Sequence, residues 1–274
     1  MTAPSLPTYG LPPYLRGLRA AFVFLTRLPV GGFPYQRRDF EWAAAHFPNV
    51  GFIVGAAGGL VHYLSRGLGD MAAALFALGT TAWLTGAFHE DGLADTFDAL
   101  GGYHNRERIF EILKDSRIGS YGSVALFVVL GLRVALLTNI AAKASSPYIA
   151  AAAVIAAQVF GRVPAVWLLA ITPYVSPEAQ AKGSGVAGAG FPQALVATAF
   201  AALYLGGLGP LLEPPLLFYP ALFAALAVTG LVLRRWFLAR VGGVTGDLLG
   251  ATEQLSEVAV LVAWSWAFGG MAAP

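Results

Sequence analysis

The chain has 274 residues, of which 57% are hydrophobic and 12% are charged, and its formal net charge is +2 at pH 7. A soluble domain of this size typically carries about a quarter charged residues. This shortage of charge argues against a water-soluble globule, and the lack of cysteine excludes disulfides, thiolate metal sites and cysteine nucleophiles. We expect an all-α fold, a polytopic integral membrane helical bundle, in which residues 1–274 form one membrane-embedded domain.

The first predicted element is an amphipathic helix near residues 14–28. Leu15, Leu18, Phe22 and Leu25 fall on one face, and arginines surround the other side. This pattern is typical of a helix that lies in the membrane interface rather than crossing the bilayer.

About seven later stretches are apolar enough to cross a bilayer, for which a helix needs roughly 20 residues. They lie near 47–67, 71–90, 120–141, 147–170, 192–212, 215–235 and 255–271. The last stretch is barely long enough. Between the fourth and the fifth, the Gly- and Ala-rich segment 176–191 predicts a mobile loop that carries Lys182.

The basic residues predict the orientation of these spans. If seven spans alternate, 13 of the 17 Lys and Arg residues fall on the side of the N-terminus. Cytoplasmic loops are enriched in Lys and Arg. The pattern therefore predicts a multi-pass protein of a bacterial or archaeal cytoplasmic membrane, with its N-terminus inside and its C-terminus outside.

The second predicted span runs directly into the acidic motif HEDGLADTFD at 89–98. Asp91, Asp95 and Asp98 stand at i, i+4 and i+7, so a helix would place all three on one face. Such carboxylates repel one another unless a cation joins them, and oxygen ligands favour Mg²⁺, with Mn²⁺ as the alternative. The motif predicts a metal site at the cytoplasmic edge, although a solvated helix end would carry the same residues.

Basic residues follow within the stretch 101–122. They are Arg106, Arg108, Lys114 and Arg117. Lys and Arg side chains hold phosphate oxygens, and glycine allows a backbone to approach an anion, as Gly119 and Gly122 would here. Lys114, Asp115 and Arg117 are therefore candidate substrate-binding residues. The alternative is a loop whose charges only fix the topology.

A second polar stretch, 242–257, opens the last predicted span on the same side. Asp247 is a candidate metal ligand and Glu257 a candidate general base, although Asp247 could instead cap a helix. Arg162 lies within the fourth span and needs a phosphate or carboxylate partner, or a purely structural ion pair. His89 is a candidate for substrate contact, or a residue that supports the neighbouring carboxylates.

Five stretches together resemble the cobalamin synthase family of membrane-bound adenosylcobinamide-GDP ribazoletransferases. They are AFVFLTRLPVG at 21–31, FPNVG at 47–51, HEDGLADTFD at 89–98, KDSRIGSYG at 114–122 and GGVTGDLLGATEQLSE at 242–257. Their order and spacing cover nearly the whole chain. The resemblance departs at Glu90, where the family often has an apolar residue, so Glu90 is a weaker ligand candidate than its neighbours.

The resemblance implies the last step of nucleotide loop assembly in cobalamin biosynthesis. A hydroxyl of α-ribazole, or of α-ribazole 5′-phosphate, would attack the cobinamide-side phosphorus of adenosylcobinamide-GDP and release GMP. Such a transfer depends on alignment and charge neutralisation, which Mg²⁺ bridging a diphosphate provides. The expected partners are these two substrates and membrane lipid, without nucleic acid; a homo-oligomer or an association with other cobalamin-assembly enzymes stays open.

The same resemblance gives each candidate residue a role. The expected metal ligands are Asp91, Asp95, Asp98 and Asp247, and the expected catalytic residues are Asp98 and Glu257. The expected substrate-binding residues are His89, Lys114, Asp115, Arg117, Arg162 and Lys182.

Three other classes share parts of the pattern. CDP-alcohol phosphotransferases also place aspartates at a membrane edge, but they carry an Ala-Arg pair where Asp95 follows Ala94 here. Membrane prenyltransferases bind a diphosphate through two aspartate-rich motifs, and the stretch 247–257 is a poor second motif. A cation-coupled transporter would hold its acids near the bilayer midplane.

Overall fold

The computed structural model describes residues 12–30, 37–102, 104–175 and 182–268. These ranges are almost entirely helical, as the all-α prediction requires. The α-helices are α1 (Pro13–Leu25), α2 (Arg37–Ala43), α3 (Phe47–Ser65), α4 (Asp70–Thr85), α5 (Phe88–Gly101), α6 (Arg106–Ile112), α7 (Ser120–Lys143), α8 (Pro147–Ile171), α9 (Phe191–Leu212), α10 (Phe218–Val241) and α11 (Gly246–Phe268). Short 3₁₀ helices occupy Ala44–His46, Arg66–Leu68 and Lys182–Gly188.

Four helical segments of the described chain are long and apolar enough to cross a membrane. They are Arg38–Leu68, Ser120–Lys143, Pro147–Ile171 and Phe218–Val241. A fifth span results if α4 and α5, which meet at 90°, are counted together. The polytopic class is confirmed, but the count falls below the predicted seven, since the apolar part of α9 is short and α11 carries three acidic residues.

The predicted amphipathic helix is present as α1, which ends at Leu25 rather than near residue 28. Ala20, Ala21 and Leu25 are buried against the bundle, whereas Leu15 and Leu18 are exposed. Exposed apolar side chains beside arginines suit a helix that lies along a lipid surface.

The bundle is built around α3 and α8, whose backbones touch. A Cβ atom at Gly55 would lie 2.7 Å from Ile155 Cα, and one at Gly59 would lie 2.7 Å from the Ala151 carbonyl oxygen. Small residues allow this approach, as in other membrane helix pairs.

The predicted span 71–90 is not one helix. Gly86 and Ala87 adopt left-handed conformations, with φ of 70° and 56°. The amides of both residues donate to the Ala82 carbonyl oxygen, which closes the end of α4. The acidic motif therefore begins a separate helix, α5, that turns by 90° from α4.

Part of the predicted mobile loop 176–191 is ordered and packed. The 3₁₀ helix Lys182–Gly188 contacts α2, and Val186 is only 2% exposed. A mobile loop is therefore the wrong description for this part of the segment. Residues 176–181 and the side chain of Lys182 lie outside the described residues, so the predicted role of Lys182 is not tested.

Candidate functional site

The acidic motif forms helix α5, as the i, i+4, i+7 spacing predicts. Asp91 is exposed, Asp95 and Asp98 are half-buried, and Leu93 and Leu100 anchor the opposite face in the core. The helix thus presents its carboxylates at the edge of the bundle while its apolar residues fix its rotation.

Helix α11 begins directly beside this carboxylate face. A Cβ atom at Gly92 would lie 2.9 Å from the Asp247 carbonyl oxygen and 3.1 Å from Asp247 Cα. A Cβ atom at Gly250 would lie 3.4 Å from His89 Cα. These two glycines let α5 and α11 approach closely, and their contact brings Asp247 to the aspartates of α5.

The carboxylates are close enough to affect one another. Burial, followed by the charges of Asp91, Asp247 and Asp98, raises the pKa of Asp95 to about 7. Burial also raises the pKa of Asp247 to about 6, and the charge of Asp91 adds to this increase. Ionising all of these groups at neutral pH is therefore unfavourable without a cation.

The donor set fits a hard divalent cation by its chemistry. Asp91, Asp95 and Asp247 offer only oxygen atoms, which Mg²⁺ prefers, and a cation would relieve their mutual repulsion. Among the described residues, no three Asp, Glu or His side chains lie close enough together to hold a metal ion as they stand. A Mg²⁺ ion usually takes waters and substrate phosphates among its ligands, so these carboxylates would supply only part of its coordination.

Asp98 has a second interaction that the sequence did not reveal. Its two carboxylate oxygens accept hydrogen bonds from the backbone amides of Gly119 and Gly122, at 2.6 and 2.8 Å. The predicted close approach of this backbone to an anion thus occurs, but the anion is the protein's own carboxylate. Asp98 thereby fastens α5 to the first turn of α7, where a negative charge is favourable.

The basic loop lies between α5 and α7, and its charges are partly paired. The Arg117 guanidinium donates to Asp115 Oδ2 at 2.6 Å, and these hydrogen bonds lower the pKa of Asp115 to about 2. Arg108 pairs with Glu111 at 2.7 Å. Lys114 is exposed. The structure places Lys114, Asp115 and Arg117 together on the surface beyond Asp98.

A network of buried polar side chains lies behind the carboxylate face and joins four helices. Its members are His89 and Glu90 of α5, Arg133 of α7, Gln158 and Arg162 of α8, and Glu253, Gln254 and Glu257 of α11. All eight are less than 10% exposed. Buried charges in a membrane bundle must be paired, and this network pairs them.

Arg133 connects three of the acidic and amide groups. Its guanidinium forms an ion pair with Glu257, donates to Gln254 Oε1 at 2.7 Å and lies 3.8 Å from Glu90 Oε1. Gln254 in turn donates to Glu90 Oε1 at 3.2 Å. Arg133 thus links α7 to both helices of the carboxylate face.

Arg162 forms an ion pair with a carboxylate, but not all of its N–H donors have hydrogen-bond partners. Its Nη1 atom lies 2.9 Å from Glu253 Oε1, without hydrogen-bond geometry, and donates to the Gln158 carbonyl oxygen. Its Nε and Nη2 atoms find no hydrogen-bond partner among the described residues. Arg162 also borders a cavity of 40 Å³ that His89 and Tyr174 line.

The predicted residues therefore fall into three places. Asp91, Asp95, Asp98 and Asp247 meet at the edge of the bundle, and the surface loop holds Lys114, Asp115 and Arg117. The structure brings His89, Arg162 and Glu257 into the buried network instead; Glu257 is fully enclosed and accepts from Gln158 Nε2 at 2.5 Å.

Several network members were not predicted as site residues. Sequence reasoning missed five of the eight, namely Glu90, Arg133, Gln158, Glu253 and Gln254. One signal in the sequence could have identified these residues. Arg133 and Arg162 lie inside apolar spans, and a charge inside the membrane needs a partner, which the acidic residues of α11 could provide.

Comparison with known proteins identifies relatives that match most of the chain. The family model described as cobalamin-5-phosphate synthase matches residues 17–265. A protein of Bradyrhizobium diazoefficiens named adenosylcobinamide-GDP ribazoletransferase is 41% identical over 248 residues, which cover 89% of this chain and 91% of that protein. Proteins with the same name from Leptothrix cholodnii and Vibrio cholerae are each 38% identical, covering 89% and 88% of this chain and 92% and 89% of their own lengths.

No solved structure matches this chain. The family match nevertheless includes every element that builds the carboxylate face and the buried network. The chain belongs to the cobalamin-5-phosphate synthase family.

Proposed function

We propose that this protein is an adenosylcobinamide-GDP ribazoletransferase that completes the nucleotide loop of cobalamin. The acceptor is α-ribazole or its 5′-phosphate, and the products are adenosylcobalamin, or its 5′-phosphate, and GMP. The observation that carries this proposal is the meeting of Asp91, Asp95 and Asp247 on two helices in a chain of this family.

Asp91, Asp95 and Asp247 would hold Mg²⁺, with Mn²⁺ as a substitute. When bound, the cation supplies charge neutralisation at the diphosphate of the donor. The role of the protein side chains is to fix this charge at one position: Asp95 is half-buried on α5, and Asp247 lies in the first turn of α11.

Lys114 and Arg117 would hold phosphate oxygens of the donor. Arg117 is 86% exposed in its side chain and rests on Asp115, two residues away. Asp115 thereby holds the guanidinium fork in position, and an arriving phosphate would compete for its donors. Lys182 remains a candidate for a further phosphate contact.

The two predicted catalytic residues, Asp98 and Glu257, have different roles in this proposal. Asp98 lies one turn from Asp95, and each of its oxygens can accept a further bond beside those from Gly119 and Gly122. It remains our candidate for taking the acceptor's proton. Glu257 is enclosed by Arg133 and Gln158, so we propose that it positions α11 rather than touching the acceptor.

His89 and Arg162 support the site from behind. His89 Nδ1 lies 3.4 Å from Glu253 Oε2, and both residues are buried. Arg162 has two unpartnered donors at the adjacent cavity, which suit an oxygen of the substrate. We propose a bacterial cytoplasmic membrane location, with the site and the N-terminus facing the cytoplasm.

The test is a product assay with purified protein. Adenosylcobinamide-GDP and α-ribazole are supplied with and without Mg²⁺, and release of GMP is measured together with corrinoid product. Release of CMP from a CDP-alcohol, or of inorganic diphosphate from a prenyl donor, would instead favour one of the two rival transferases.

Asp91→Asn and Asp95→Asn should each abolish GMP release, and activity within a few-fold of wild type in folded variants would refute the metal site.

A further inference from the structure

A large apolar groove lies on the outer surface of the bundle, away from the carboxylates. It has a volume of 430 Å³ and is bounded by α8, α9 and α10. Phe160, Pro164 and Ile171 form one wall, and Phe223 and Leu231 form the opposite wall. The volume lies within the range of small-molecule sites, roughly 300–1,000 Å³.

Among the described residues that line the groove, none offers a free polar group to a ligand. The hydroxyl among them belongs to Thr198, which accepts a hydrogen bond from Trp167 Nε1 at 2.9 Å and donates to the Ala194 carbonyl oxygen at 2.8 Å. A nucleoside, a sugar or a corrinoid amide placed here would leave its polar atoms unsatisfied. The occupant must be an aliphatic chain or a similar apolar group.

The length of the groove matches one leaflet of a bilayer. On α10 it runs from Phe223 to Leu231, about 12 Å at the helical rise, and half of a bilayer's hydrocarbon core is about 15 Å. Both α8 and α10 are long and apolar enough to cross the membrane. Phe223 and Leu231 are 42% and 57% exposed, so the groove opens on the lipid side.

The end of the groove carries positive charge. Arg234 and Arg235 follow Leu231 by three and four residues, so they continue the same face of α10. Arg234 donates to the Ile171 carbonyl oxygen at 3.1 Å, which fixes it at the mouth. Arg235 is exposed. Apolar walls that end in two guanidinium groups complement an acyl chain that ends in a phosphate.

We propose that the groove between α8, α9 and α10 binds one membrane phospholipid. An acyl chain fills the space beside Pro164, and the phosphate contacts Arg234 and Arg235. The lipid belongs to the leaflet on the side of these arginines.

The site has a physical connection to the carboxylate face. Arg240, at the end of α10, donates to the carbonyl oxygens of Leu100 and Gly102 at 2.9 and 2.7 Å. These residues end α5. A lipid that fixes α10 against α8 therefore also stabilises the position of α5.

The test uses reconstituted full-length protein and a labelled lipid. Vesicles of phosphatidylethanolamine and phosphatidylglycerol contain a small fraction of phospholipid with a diazirine in mid-chain, and labelled peptides are identified after illumination. We expect labelling at the groove, at peptides containing Trp167 and Leu231, to exceed by at least fivefold that at Phe127, which is 82% exposed on α7.

Two adjacent substitutions give a matched pair. Ala227→Trp fills the groove and should reduce this labelling at least fivefold, whereas Val228→Trp, on the 59% exposed neighbour outside it, should leave it unchanged. Gly230→Leu is the second filling variant if Ala227→Trp does not fold. Arg235→Gln should weaken lipid retention during detergent washing.

Three results would overturn the proposal. The first is labelling spread evenly over all exposed apolar surfaces. The second is labelling that filling variants do not reduce, and the third is cross-linking of the groove to a second copy of the chain. None of these depends on catalytic turnover, so failure here is distinguishable from failure of the proposed reaction.

Discussion

The distance between α5 and α11 sets the carboxylate site, and Gly92 tests this directly. In Gly92→Ala the new methyl group would lie 2.9 Å from the Asp247 carbonyl oxygen, where ordinary contacts begin at 3.4 Å. The helices must separate by about 0.5 Å, and such overpacking costs about 1–3 kcal/mol. Because Asp247 moves with α11, its carboxylate recedes from Asp95.

Misplacement on this scale should reduce kcat/KM by roughly 10- to 100-fold. We expect the Mg²⁺ concentration for half-maximal GMP release to rise as well, and excess Mg²⁺ to restore part of the rate. Gly250→Ala, whose methyl group would meet His89 at 3.4 Å, should show a smaller effect. The measurement is GMP release against Mg²⁺ concentration in detergent-solubilised protein.

Gly131→Ala is the matched control, because a Cβ atom there meets nothing within 4 Å. It should keep full activity and gain up to about 1 kcal/mol of stability, as expected for Gly to Ala within a helix. If folded Gly92→Ala shows wild-type rate and Mg²⁺ dependence, the helix separation does not control the site. Equal losses in Gly131→Ala would lead to the same conclusion.

Three further perturbations test the electrostatics. In metal-free buffer at pH 8, Asp95→Asn should melt at a higher temperature than wild type. The raised pKa of about 7 means that the folded state holds this proton more tightly than the unfolded state, so wild-type stability should rise as pH falls through 7 and the variant should lack that rise. Arg133→Met removes the close ion-pair partner of Glu257 in the core and leaves only Arg162, 4.0 Å away. It should cost about 3–5 kcal/mol in chemical denaturation, whereas Arg133→Met/Glu257→Gln should recover at least half of the loss. Asp98→Asn retains one acceptor for the α7 amides, so Mg²⁺ half-saturation should stay within a few-fold of wild type while GMP release falls strongly; an unchanged rate would remove Asp98 from catalysis.

Local sequence patterns predicted the helices and the acidic face because both are local properties. The spacing of Asp91, Asp95 and Asp98 depends only on helical geometry, which the backbone of α5 provides. The amphipathic α1 follows from its own residues in the same way. Hydropathy alone predicted one continuous span over 71–90 because it cannot register a backbone break such as the left-handed pair Gly86 and Ala87.

These local patterns could not predict which residues far apart in the sequence contact one another. Asp98 could not be assigned to the amides of Gly119 and Gly122 from spacing, because the contact depends on how α7 returns to α5. The pairing of Arg133 with Glu257 joins residues far apart along the chain. Sequence could indicate that each buried charge needs a partner, but only the fold selects which one.

The contact between α3 and α8 limits which helices can move to admit a bulky substrate. Two helices that meet backbone to backbone have no intervening layer of side chains that could change rotamer, so they cannot slide past one another without a steric clash. Helix α10, by contrast, is only 22% buried over its most apolar 18 residues. We therefore expect that any displacement admitting a large substrate involves α10 or the loop before α7 rather than the contact between α3 and α8.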